Sequence, residues 1–316
     1  MLMARVAACP TAVNTMAAAG ETTDWGQVSV LHWQGQPLQV RRLGCDGGPP
    51  LVLIHGFAAA AGHWRANAPA FAAAGWRVYG LDLLGFGASA QPFLVQDNRT
   101  WAQQVLHLVE QSIQEPVVIV GHSLGALVGL TAAVVRPERV KALVLAPLQD
   151  PTLLKPQPRR HSFCRRWQQL LRILQRWLAP WRLILWLFSQ PWLLALGLRA
   201  AYKQRHRLDP ALLRLFSRPC RRSGAARSLA GMTMGMGRRP LWATAPALLR
   251  RVACPVLVLR GQEDRLAPEA MAKAVVRLRP DLPCQVLEGC GHCPHDEDPK
   301  RFNGVVLAWL RETFPS

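Results

Sequence analysis

The chain has 316 residues, half of them hydrophobic, and a formal net charge of +19. That length supports one large core built on a single sheet. Eight cysteines, Cys9, Cys45, Cys164, Cys220, Cys254, Cys284, Cys290 and Cys293, are scattered rather than framed in pairs, which fits reduced thiols in a cytoplasmic setting better than a disulfide scaffold.

In chain order, residues 1–24 read as a loose tail. Met1 to Gly20 is Ala-rich with Arg5 as its only charge, and Pro10 and Asn14 interrupt the apolar run that a secretory signal requires. Strands are expected near Val28–Trp33, Leu38–Leu43, Leu51–Ile54, Arg77–Leu81, Val117–Val120, Ala142–Leu145, Val256–Leu259 and Gln285–Leu287, with helices in most of the gaps. Near-continuous apolar strands alternating with helices predict a mostly parallel sheet. Its first two strands are antiparallel, joined through Gln34-Gly35-Gln36.

One stretch carries chemistry. Gly121-His122-Ser123-Leu124-Gly125 follows the strand-like run ending at Val120 and precedes the helix-like run from Ala126 to Val135. A serine at a tight strand-to-helix turn needs glycines two residues to either side, where a Cβ would clash, so the pattern reads as a nucleophile elbow. The rival is a plain glycine turn capped by Ser123.

Here the chain resembles the α/β-hydrolase family, whose fold is a mostly parallel eight-stranded sheet with helices on both faces. The family's acid and base follow the serine in that order. Gly261-Gln262-Glu263-Asp264-Arg265-Leu266-Ala267-Pro268 is similar to its acid loop and makes Asp264 the expected acid, with Asp150 as the alternative after the earlier strand and Glu263 pointing elsewhere. Glu288-Gly289-Cys290-Gly291-His292 is similar to its histidine loop and makes His292 the base, while His295 falls in a capping-rich helix start. His55-Gly56-Phe57 resembles the oxyanion turn, so the Phe57 N–H is expected to act with that of Leu124, His55, Gly56, Gly121, His122 and Gly125 supporting the site. Asp82 and Ser89 are expected to bond the backbone of the loop 82–89. The cluster Cys290, His292, Cys293 and His295 has metal-like spacing, but a zinc site needs four converging ligands and no other tight pairing accompanies it, the remaining six cysteines being scattered, so no metal and no cofactor are expected.

The alternation breaks between Asp150 and Val256. Residues 151–240 hold 19 of the 38 Lys and Arg residues and a single acid, Asp209. An insertion at this point in the family is a cap, giving an expected organisation of core (25–149 and 241–316) and basic, Trp-rich helical cap (150–240). The cap stretch 177–198 has one charge, Arg182, yet Pro180 and Pro191 interrupt it, which favours a buried or interfacial helix over a membrane span. Residues 159–177 space arginines between apolar and aromatic residues, as a helix lying on an anionic membrane does; the alternative is a cap whose arginines are merely solvated. No nucleic-acid motif accompanies the charge, and no nucleic-acid partner is expected.

His63-Trp64-Arg65-Ala66-Asn67, the loop 82–89 and the segment 289–297 are similar to plant-plastid and cyanobacterial hydrolases of the pheophytinase and chlorophyll dephytylase type. That likeness implies a serine hydrolase acting on an ester with a bulky apolar part, such as a phytyl-type pigment ester or a lipid. An acyltransferase using the same acyl-enzyme and a non-catalytic binding protein on the same scaffold are the alternatives. Serine rather than aspartate at the elbow argues against the alkyl-enzyme chemistry of dehalogenase and epoxide hydrolase relatives.

Overall fold

The computed structural model describes residues 23–154 and 181–315. Its centre is a sheet of eight strands: β1 (Gln27–Trp33), β2 (Gln36–Leu43), β3 (Pro50–Ile54), β4 (Arg77–Leu81), β5 (Val117–Ser123), β6 (Val140–Leu148), β7 (Val256–Gly261) and β8 (Cys284–Leu287). They lie in the order β1-β2-β4-β3-β5-β6-β7-β8. β1 pairs antiparallel with β2 and β2 with β4; every other pairing is parallel. Gln34 and Gly35 both take positive φ, 48° and 74°, the twist that a two-residue hairpin turn needs to match its strands.

Alternate residues along each central strand serve opposite faces, and both faces are dry. Val52, Ile54, Val117, Ile119, Leu143, Leu145, Val256 and Val258 share one core with Trp101, Leu108, Leu127 and Leu130. Those partners come from α2 (Asn98–Leu108) and α3 (Leu124–Val135). Leu51, Leu53, Val118, Val120, Val144, Leu257 and Leu259 share the other with Trp64, Phe71, Phe302 and Leu310. The last three of these lie on α1 (Ala68–Ala73) and α11 (Pro299–Thr313). At about 1.5–3 kcal/mol for each fully buried large aliphatic side chain, this double packing is what fixes strand register.

The expected strands all form, and several run further than anticipated, β5 and β6 the most. β5 continues through the elbow because Ser123 still pairs with Leu148, with a register shift between Gly121 and Ser123. β6 runs from Val140 to Leu148, past Pro147, against an expected Ala142–Leu145.

Between β6 and β7 the described chain forms α4 (Trp181–Phe188), α5 (Pro191–Ala201), α6 (Pro210–Cys220) and α7 (Ala225–Arg238), followed by α8 (Ala245–Leu249). Ser189 and Gln190 separate α4 from α5. No helix among the described residues is long and apolar enough to cross a membrane. The amphipathic stretch 159–177 and residues 1–22 of the tail lie outside the described residues. After β7 come α9 (Glu269–Leu278), β8, the short helix α10 (Pro294–Glu297) and α11.

A serine elbow and a histidine–aspartate pair

Ser123 sits at the end of β5 with φ 54° and ψ −111°, a conformation that non-glycine residues rarely adopt and that costs on the order of 1–3 kcal/mol. The glycines that flank it are required by space. A Cβ on Gly121 would lie 2.5 Å from the Gly125 carbonyl oxygen, and one on Gly125 would lie 2.2 Å from that of Ile54. Leu124 opens α3, so its N–H is among those that the helix leaves without an internal partner.

His292 follows β8 on the loop before α10. Its Nδ1 lies 2.9 and 3.0 Å from the two carboxylate oxygens of Asp264, and both residues are buried. Oδ1 of Asp264 also accepts the Leu266 and Ala267 N–H groups, which fixes the carboxylate. Asp150, the alternative acid, is committed elsewhere: it accepts the N–H groups of Thr152 and Ala245 and pairs with Arg239. Glu263 turns outward to Lys203. His122, next to the serine, places Nε2 2.9 Å from the His292 carbonyl oxygen and so ties the elbow to the histidine loop.

The expected contact between serine and histidine is replaced by another. Ser123 Oγ donates to Gln149 Oε1 at 2.8 Å, and Gln149 Nε2 donates to the Leu266 carbonyl at 3.0 Å. Gln149 therefore bridges the elbow and the acid loop, a role hidden in sequence because a single glutamine after a strand carries no pattern. Rotation of the serine about one torsion redirects its proton.

On the opposite wall, His55 is fully buried, with Nδ1 2.7 Å from the Gly56 carbonyl and Nε2 accepting the Leu83 N–H. That fixes the tautomer and the turn. A Cβ on Gly56 would meet His122 Nδ1 at 2.6 Å, so the oxyanion-type turn and the elbow are packed directly together. Among the described residues the Phe57 N–H makes no backbone hydrogen bond, and its ring is 54% exposed. Asp82 and Ser89 bond the loop backbone as expected, Asp82 accepting the Ala88 N–H and the Ser89 hydroxyl donating to the Asp82 carbonyl; they also accept from Ala61 and Gln39 outside the loop.

Behind this wall lie three further buried histidines. His295 is enclosed between His63, His122 and Trp64, with ring centroids 4.4–4.5 Å apart. Burial lowers all three basicities, that of His63 to about 4, so they are neutral near pH 7. Their nitrogens come within 4.8 Å of one another. Zinc, with Zn–N bonds of about 2.0–2.1 Å, draws tetrahedral ligands closer, to about 3.4 Å. This trio differs from the cysteine–histidine cluster that the spacing suggested: His292 is engaged by Asp264, and Cys290 and Cys293 are buried thiols outside any disulfide.

The insertion is joined to the histidine loop through residues 201–204. The His292 N–H donates to the Ala201 carbonyl at 2.7 Å. Glu297 accepts four backbone N–H groups, from Gly291 and Cys293 on the histidine loop and from Lys203 and Gln204 beyond α5. Burial nonetheless raises its pKa above the ordinary carboxylate value. Tyr202 bridges His63 and Asp296, and Arg65 pairs with both Asp296 and Asp209. Only a capping helix start was legible here, which Asp298 supplies by accepting the Arg301 N–H.

Residues 51–305 match the model of the Alpha/beta hydrolase family. A 2-hydroxy-6-oxo-6-(2'-aminophenyl)hexa-2,4-dienoic acid hydrolase of Metapseudomonas resinovorans is 26% identical over 86% of this chain and 88% of its own. The chloroplastic pheophytinase of Arabidopsis thaliana is 24% identical over 90% of this chain and 67% of its own. In structure, a serine hydrolase involved in carbazole degradation superposes with a TM-score of 0.73 at 21% identity, covering 90% of this chain and 99% of that one. With a matched segment that spans β3 to α11, this chain belongs to the α/β-hydrolase family.

Proposed function

We propose that the protein is a serine hydrolase that cleaves a carboxylic ester through Ser123, His292 and Asp264. The observation that carries the reading is a strained serine between space-filling glycines, within the same buried wall as a histidine paired to a carboxylate. In this reading Ser123 turns from Gln149 to His292, and Nε2 takes its proton as Oγ attacks the ester carbonyl. Asp264 holds the Nδ1 proton and steadies the imidazolium. The Phe57 and Leu124 N–H groups hold the tetrahedral oxyanion, a contribution of several kcal/mol in such sites. Collapse breaks the C–O bond, and the alcohol leaves with the proton from His292. Water activated by the same histidine then releases the acid and restores Ser123.

A bulky apolar substrate fits the surroundings. Phe57 is an exposed aromatic stacked edge-on against Phe86, beside the turn that is read as supplying the oxyanion N–H. The likeness to pheophytinase agrees with this choice. Fluorophosphonate labelling tests the chemistry: the folded protein is expected to form one adduct, at Ser123, and Ser123→Ala to lose it together with about 10³-fold or more of ester turnover. Full labelling of the variant would move the nucleophile elsewhere. Product analysis with and without an added alcohol separates hydrolysis from acyl transfer.

A further inference from the structure

Two consecutive helices of the insertion carry apolar side chains on their outer sides. On α4, Leu183, Trp186 and Leu187 recur at one helical face and are exposed; on α5, Trp192 and Leu196 do the same. Trp186 and Trp192 are 58% and 68% exposed. Other residues of α5 supply its packing, since Leu194 and Leu198 lie against Tyr202, Leu212 and Phe216. Trp192 and Leu196 are therefore not needed for α5 to dock. Isolated exposed leucines are ordinary on a soluble protein, but five large apolar residues, two of them Trp, on adjoining helices mark an interaction surface.

The charge around this surface has one sign. Arg199, Arg214, Arg218 and Arg227 are exposed, and among the described residues none of them forms an ion pair. Asp209, the single acid of residues 151–240, is used by Arg65 and by the Leu212 N–H. In the chain, α4 is preceded directly by Arg159, Arg160, Arg165, Arg166, Arg172 and Arg176. A second copy of this chain would bring the same positive field against itself, which disfavours a homodimer through this face. Phosphate headgroups accept guanidinium hydrogen bonds, Trp settles at headgroup level and Leu enters the acyl boundary.

We propose that the α4–α5 hairpin is the surface by which the protein docks on an anionic lipid bilayer. The docking stands apart from the hydrolase reading. Only its consequence, that substrate is met at the lipid surface, rests on that reading.

The test is co-sedimentation of the full chain with vesicles of phosphatidylcholine alone or with about one-third phosphatidylglycerol. Binding is expected at least about tenfold tighter with the anionic lipid, and about tenfold weaker when salt rises to about 0.5 M. Trp186→Ala/Trp192→Ala is expected to lower partitioning about tenfold or more, whereas Val28→Ala/Val30→Ala, at exposed positions on β1, leaves it unchanged. Leu183→Gln/Leu196→Gln repeats the measurement should the Trp pair fail to fold by circular dichroism. Equal binding to neutral vesicles, or apolar variants that bind like wild type, would overturn the proposal. So would a lipid-free dimer dissociated by these substitutions. Turnover of a water-soluble short-chain ester without lipid reads the chemistry separately: it is expected to be equal in wild type and Trp variant, and its absence from wild type would count against the hydrolase while leaving the vesicle result standing.

Discussion

The sheet core and the insertion between β6 and β7 spend their polar residues differently. In the core, polar side chains near the elbow are buried and assigned: His55 fixes a turn, His122 holds the histidine loop, Asp82 and Ser89 close a loop, and Asp264 is bound by two N–H groups and His292. In the insertion, arginines stand at the surface beside exposed Trp and Leu. A position in the core has one solution, because an unpaired buried group costs about 1–3 kcal/mol, whereas a solvated arginine can be exchanged at little cost. The difference separates a region whose polar groups are fixed by their partners from one whose polar groups are fixed by solvent.

The contrast can be broken most sharply at the two buried aspartates that follow β6 and β7, the next two strands after the elbow strand in the sheet. Asp264→Asn is expected to cut ester turnover by about 10³–10⁴-fold with little change in stability, because the histidine loses the carboxylate that sets its tautomer. Asp150→Asn is expected to do the reverse, lowering stability by about 2–4 kcal/mol through its buried pairing with Arg239 while the folded enzyme stays active. Turnover and urea midpoints of both variants check this, and the opposite ranking would return the acid to β6.

Next in size is a pH effect confined to the core. Burial depresses His55, His63, His122 and His295, so the unfolded chain takes up protons below about pH 6.5 that the folded chain refuses. Stability is then full above pH 6.5 and falls as pH drops towards 4, the value for His63. Urea midpoints at pH 7.5, 6 and 5 should decline monotonically. A flat profile would mean that these rings are charged in the folded state.

Smallest is the effect of Gln149. Removing its acceptor with Gln149→Leu frees the Ser123 proton for His292, and fluorophosphonate labelling should quicken about fivefold, the value of one hydrogen bond near 1 kcal/mol. Slower labelling would mean that the amide supports the reactive geometry instead of restraining it.

Much of the core was legible because each part obeys a local rule. Apolar runs of four to six residues give β3, β5 and β7, and the glycines at 121 and 125 mark a turn that no side chain could make. Asp264 and His292 were found by order along the chain, and the structure brings them into contact. Gln149, Tyr202 and Glu297 were not found, since each acts through partners far away in sequence: Glu297 binds Lys203, and Tyr202 binds His63. The insertion resisted for another reason. Its helices obey a 3.6-residue period, but which face meets the core depends on neighbours such as Phe216 and Ala59, which periodicity does not name.

Glu297 has a mechanical consequence. One carboxylate grips both the loop that carries His292 and the backbone of Lys203 and Gln204 just beyond α5, and the Ala201 carbonyl adds a third tie. Residues 201–204 therefore travel with the histidine loop as one rigid block. Any hinge that lets the insertion swing aside has to fall before Ala201 or after Gln204, so the C-terminal end of α5 stays with the His292 loop whatever the rest of the insertion does.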